Sequence, residues 1–246
     1  MTKPIRSLLT TSWDDGHPFD LRIAEMLAKW NIPGTFYVPR MNPERDVMDE
    51  GAIRQLSAHF EIGGHTLHHV TLDKLTLDAA YKEIAACRSW LGDVTGHVPV
   101  SFCYPRGRFV SSTVESVRKA GYKYARTVQL LKTGYQDNLK APTTLQVHPH
   151  TRWDYLQNSL KRADLPSCAF VLTRVSRSLG IQDLTEVFLD DVQSFGGVFH
   201  LWGHSWEIEE LGLWGTLDDL LRLIAERDQF ARCVNGVLPE YRSGKY

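Results

Sequence analysis

Three short stretches of this 246-residue chain combine residue types that can do chemistry. In the first, Trp13-Asp14-Asp15-Gly16, two adjacent carboxylates at a strand end project in different directions. One can hold a cation while the other faces a reacting water, and Gly16 permits the tight turn. The same letters also suit an Asp-Gly turn in which one carboxylate caps a helix. In the second, Gly64-His65-Thr66-Leu67-His68-His69, two histidines stand four apart. That spacing predicts a shared face on the first turn of a helix. There, two neutral imidazoles and one carboxylate make three metal ligands and leave positions open for water and substrate. His68 is expected on another face, away from the ion. The third stretch, His200-Leu201-Trp202-Gly203-His204-Ser205-Trp206-Glu207, puts His204 at a strand end between two tryptophans. With an ordinary pKa of about 6.5 it can serve as a general acid, and Trp202 and Trp206 can wall a small apolar group or a sugar face. His200, deeper in the strand, is expected to be a packed core histidine.

Residues this far apart cooperate only if the fold gathers them. Strand-like runs at 8–13, 35–38, 61–62, 100–104, 122–128, 145–147 and 197–202 alternate with helix-like ones. The helical runs are 21–30, 50–60, 77–91, 111–120 (closed by Gly121), 153–163, 181–195 and 217–227. Repeated strand-then-helix order implies βα units around a mostly parallel sheet. The candidate residues follow strands, and in a parallel α/β barrel those strand ends meet on one face. No linker or repeat interrupts the pattern, so a single domain over residues 1–246 is expected.

Charge narrows the function classes. With 28 basic and 29 acidic residues the net charge is -1, so no bulk field draws the chain to nucleic acid or an acidic membrane. Cys87, Cys103, Cys168 and Cys233 form no C-x-x-C pair and suggest neither a zinc knuckle nor a disulfide framework. The start of the chain is too short and polar for a signal peptide, and no run approaches the ~18 apolar residues of a membrane span. A cytoplasmic location is expected.

In order and spacing the three stretches resemble the NodB-type polysaccharide deacetylases, carbohydrate esterase family 4. Ser12-Trp13-Asp14-Asp15-Gly16 is similar to that family's T-F-D-D-G, His65-Thr66-Leu67-His68-His69 to its H-[ST]-x-x-H, and Leu201-Trp202-Gly203-His204 to its L-x-x-H. The resemblance covers roughly residues 8–238. It implies a distorted (β/α) barrel of about seven strands and a divalent metal ion, with zinc expected. It also implies an acetylated sugar or glycan as substrate. By the same resemblance Asp14 is the base that activates water, Asp15, His65 and His69 bind the metal, and His204 protonates the leaving group.

The family's R-x-P-[FY]-G aligns with Cys103-Tyr104-Pro105-Arg106-Gly107, so Cys103 stands where an arginine orients the catalytic aspartate. Arg108 and Arg126 are the candidates to replace it. Tyr104 and Arg106 fall on the substrate side, with the backbone N–H at 106 available to an oxyanion. The acidic fourth motif has no clear equivalent, and His148 or His150 is placed to tune His204. Two rival readings share these letters: hydrolysis of another linear or cyclic amide on the same scaffold, and a non-catalytic glycan-binding domain. An H-x-H barrel amidohydrolase does not fit, because no H-x-H follows the first strand.

Overall fold

A computed structural model describes residues 7–175 and 180–242. Most of the polar start of the chain, and the ends of the expected 1–246 domain, lie outside those residues. The elements run β1 (Ser7–Asp14), α1 (Asp20–Lys29), β2 (Thr35–Val38), α2 (Glu50–Ser57), β3 (Glu61–Gly64), α3 (Leu77–Thr95), β4 (Ser101–Cys103), α4 (Ser111–Lys119) and β5 (Tyr124–Arg126). They continue with β6 (Leu145–Gln146), α5 (Arg152–Leu160), α6 (Leu165–Arg174), α7 (Ile181–Phe195), β7 (Gly197–His204), α8 (Ser205–Glu210), α9 (Trp214–Ala225), β8 (Ala231–Arg232) and α10 (Leu238–Arg242).

All strand pairs are parallel, in the order β5-β4-β3-β2-β1-β7-β6, with the short β8 beside the start of β1. Past β5 the pairing continues: Ala141 bridges Arg126, and Thr143 N–H donates to the Gln129 carbonyl at 2.8 Å, leading the chain round to β6. The result is the distorted (β/α) barrel that the family resemblance implied, built on the parallel βα order that the alternation predicted.

A strand turns successive side chains to opposite faces. On β1, Leu9 and Trp13 pack outward into the main apolar core, against α1, α7 and α9. Those helices bury apolar residues at helical spacing, as with Leu184, Phe188, Leu189 and Val192 on α7. Thr10, Ser12 and Asp14 turn inward instead. Thr10 donates to Asn235 (2.8 Å), Ser12 pairs with His200 (2.8 Å), and Asp14 pairs with Arg126. His200 is thus a packed interior histidine, as expected, bonded through Nε2. Because both faces of β1 are buried, its run of Thr and Ser is tolerated only through these partners. At the far end of the barrel, Asn235 Nδ2 donates to the Tyr37 hydroxyl (2.9 Å) and Gly236 N–H to Glu61 (2.9 Å), closing it.

The structure shortens or adds elements where the hydrophobic pattern is weak. The run at 122–128 is a strand only over Tyr124–Arg126, after which the chain leaves the sheet so that Val128 and Leu130 line a cavity. Helix α6 lacks a clean apolar stripe, since Leu165 and Leu172 are exposed while Ser167 is buried. Gly121 does follow α4 in the left-handed region (φ 95°), one residue past the terminal Ala120.

A candidate metal and catalytic centre

At the C-terminal end of β1 the backbone turns through two left-handed residues, Asp15 (φ 78°) and Gly16 (φ 63°). A side chain at Gly16 would put its Cβ 2.7 Å from Val38 Cγ1, so the position demands glycine. This turn sends the two carboxylates apart. Asp14 stays inside the barrel, whereas Asp15 faces the loop after β3.

That loop corrects one expectation. Residues 65–70 are not helical: Thr66 (φ 60°) and His69 (φ 52°) are left-handed, and the chain folds back on itself. Local hydrogen bonds win over helix propagation here. The Thr66 hydroxyl accepts from Val70 N–H (3.1 Å), and Glu83 of α3 takes both the backbone N–H (3.0 Å) and Nδ1 (2.7 Å) of His68. Glu83 therefore draws His68 away, and His65 and His69 converge without a helix. His65 Nε2 lies 3.4 Å and His69 Nε2 3.0 Å from Asp15 Oδ1.

The donor set fits a divalent cation. His65 Nδ1 donates to the Cys103 carbonyl (2.8 Å), so a neutral His65 turns its Nε2 lone pair toward Asp15. Asp15 Oδ1 is buried and takes no directed hydrogen bond. Electron pairs that face one another in a buried site call for positive charge between them. Without an ion that positive charge has to come from protons: burial alone would raise the Asp15 pKa, but hydrogen bonds from His65 and His69 with their facing nitrogens protonated, helped by the charge of His204, outweigh it and hold the carboxyl well below its usual range. A second cluster, Asp14, His65 and Cys103, also brings ligand atoms within 4.8 Å of one another. It is the poorer set. Burial pushes the Cys103 thiol well up, away from the thiolate that metals bind, and Asp14 is already paired with a guanidinium.

That guanidinium is Arg126. It is fully buried, sits over the Trp202 ring at 4.4 Å from the centroid, and pairs with Asp14 Oδ1. Arg126 is the register partner of Cys103 on the neighbouring strand, so a charge absent from β4 arrives from β5 at the same level. Arg108, the other candidate, is spent on Asp73 (2.8 Å) at the surface. Asp14 Oδ2 faces the Cys103 thiol (3.6 Å) and His204 Nε2 (4.0 Å).

His204 closes β7, and its other nitrogen, Nδ1, meets Glu207 on the first turn of α8 (3.3 Å). Burial alone would lower the His204 pKa, but the Glu207 hydrogen bond and the charges of Asp15 and Asp14 outweigh it and raise it. Gln146 Nε2 (3.0 Å) and His148 Nε2 (3.5 Å) in turn hold Glu207. The sequence pointed to His148 or His150 for this tuning. Instead His148 reaches His204 only through Glu207, and His150 bonds to Gln146 (3.0 Å), with burial and then His148 pushing its pKa down to about 4. Nothing in the spacing alone marked Glu207, because α8 was not expected.

These groups line one cavity of roughly 350 Å3. Asp14, Asp15, His65, His69, His204, Trp202, Trp206 and Arg106 all contribute to its wall, joined by Glu44, Asp154 and Asn158. Arg106, itself left-handed (φ 56°), pairs with Glu44 at the rim. Trp202 and Trp206 flank the His204 ring at 5.4 and 5.2 Å, but each already carries a guanidinium, Trp206 that of Arg45. They can wall a methyl group better than they can stack on a sugar. Tyr104 is a correction. It points into the cluster between α3 and α4, stacks on Phe109 (4.4 Å), and its hydroxyl donates to the Leu139 carbonyl (2.9 Å), so its side chain does not reach the cavity.

Comparison with known proteins places the fold and the family. The polysaccharide deacetylase family model matches residues 2–125. YxkH of Bacillus subtilis, which carries the name of a polysaccharide deacetylase, is 23% identical over 130 residues, covering 52% of this chain and 47% of that protein. The chain thus matches about half the length of this curated relative. Among solved structures, one from Mycobacterium smegmatis described as a polysaccharide deacetylase superposes with a TM-score of 0.71 at 17% identity, covering 100% of this chain and 94% of that one. A family 4 acetyl xylan esterase from Clostridium thermocellum, in complex with a cobalt ion, gives 0.56 at 17% identity over 97% and 91% of the two chains. These likenesses support the fold. The match over residues 2–125, together with the barrel described above, makes this chain a member of the polysaccharide deacetylase family.

Proposed function

We propose that the protein is a metal-dependent deacetylase that removes an N- or O-linked acetyl group from a sugar or glycan, with one catalytic domain spanning residues 1–246. The observation that carries this reading is the convergence of His65, His69 and Asp15 Oδ1 beside Asp14 and His204 in one cavity. A divalent ion held by those three donors, zinc in our reading, supplies Lewis acidity toward the acetyl carbonyl and the attacking water.

The chain's own groups do the rest. Asp14, held by Arg126, accepts a proton from the water as its oxygen adds to the carbonyl carbon. The backbone N–H of Arg106 donates to the oxygen that gains charge. His204, kept protonated by Glu207, gives its proton to the departing nitrogen or oxygen as the C–N or C–O bond breaks and acetate leaves. An amine leaving group needs that proton more than an alcohol does. Trp202 and Trp206 wall the acetyl methyl. Among the described residues no helix is long and apolar enough to cross a membrane.

Metal analysis of protein purified without chelator, followed by acetate release from a panel of acetylated sugars and cyclic amides, tests the proposal. Bound zinc with acetate release is expected. Hydrolysis of the cyclic amides alone would refute the deacetylase assignment.

A further inference from the structure

The two carboxylate oxygens of Asp15 keep different company. Oδ1 faces His65 Nε2 (3.4 Å) and His69 Nε2 (3.0 Å) and takes no directed hydrogen bond. Oδ2 accepts the indole N–H of Trp206 at 2.9 Å. A carboxylate's terminal torsion is soft and two-fold, so an unrestrained Asp15 exchanges its oxygens freely.

The geometry points to Trp206 as a positioning residue for the metal: by holding Oδ2 it presents Oδ1 alone to the cation, and so sets the affinity of the site. This rests on the metal reading proposed above. The indole is itself held. Arg45 lies over its ring, 3.9 Å from the centroid, and is anchored to Glu210 (2.7 Å). One residue earlier, Ser205 Oγ donates to the buried Asp20 (2.5 Å), which fixes the corner between β7 and α8. Groups that hydrogen-bond a ligand's free atom orient it and tune its hold on the ion. Trp206 therefore belongs to the metal site as much as to the substrate wall, and the corner that carries the acid His204 also places the ion.

The test is zinc affinity, read by competition with a chromophoric chelator on the full chain, with thermal denaturation of the metal-free protein alongside. Trp206→Phe removes the N–H and keeps the ring. It should weaken zinc binding about 10–100-fold, while the metal-free protein still unfolds cooperatively with only the modest loss of one hydrogen bond. Wild-type affinity in this variant would overturn the inference. Should Trp206→Phe not fold, Arg45→Met, which leaves the N–H but loosens the ring, should bind zinc several-fold more weakly, and unchanged affinity there overturns it equally. Failure of the metal reading looks different: the unsubstituted protein itself would bind no zinc.

Discussion

The two sides of the cavity are built by different parts of the chain. The side proposed to hold the metal comes from β1 and the loop after β3, with Asp15, His65 and His69 inside the stretch that the family model matches. The proton side is finished by residues beyond it. Arg126, which pairs with Asp14, the base of our proposal, lies one residue past the match at 125, and His204, Trp206 and Glu207 follow on β7 and α8. One half keeps its ligands in recognisable spacings, while the other supplies charge and orientation from wherever the fold offers them. A ligand must present a particular atom at a particular place, but a guanidinium that steadies an aspartate can arrive from either of two neighbouring strands.

Substitutions on each side should separate these roles. The largest effect is expected from His69→Ala, which removes one of three donors: zinc content and acetate release should fall together to background. Asp14→Asn should keep the ion and lose turnover by about 100-fold or more. A metal-replete Asp14→Asn protein of full activity would remove Asp14 as the base.

Glu207→Gln sharpens the comparison through pH. A general acid works in its protonated form, so its limb of the rate profile falls as pH rises through its pKa. Glu207 raises the His204 pKa by hydrogen bonding, against the burial that lowers it. Its loss should therefore move the alkaline limb of kcat/KM to lower pH, with about tenfold less activity on the alkaline side and unchanged zinc content. An unmoved limb would mean that Glu207 does not hold the acid. The smallest effect belongs to Tyr104→Phe, which leaves the Leu139 carbonyl without its donor. Stability should fall by about 1 kcal/mol, read from denaturant unfolding, while turnover stays at the wild-type level.

How much of this was legible beforehand follows the same division. The barrel could be read because strand and helix periods alternate cleanly from β1 to α4. The five candidate site residues stood out as carboxylates and histidines just after strands, whose ends a parallel barrel gathers on one face. The path of the 65–70 loop could not: a spacing of four suits a helix equally well, and the decision fell to Thr66 and to Glu83, a residue fourteen positions past His69. Arg126 was visible only as one of two arginines, since choosing between them needs the register of β4 and β5. Glu207 and the bond from Trp206 to Asp15 depend on how α8 leaves β7, and a six-residue helix carries too little periodicity to announce itself.

The most direct test of the central claim is a crystal structure of the zinc-loaded protein with anomalous data collected at the zinc edge. The account predicts one strong peak about 2.0–2.2 Å from His65 Nε2, His69 Nε2 and Asp15 Oδ1, with Asp15 Oδ2 still on Trp206 and Asp14 still on Arg126. A peak bound instead by Asp14 and Cys103, or none at saturating zinc, would contradict it.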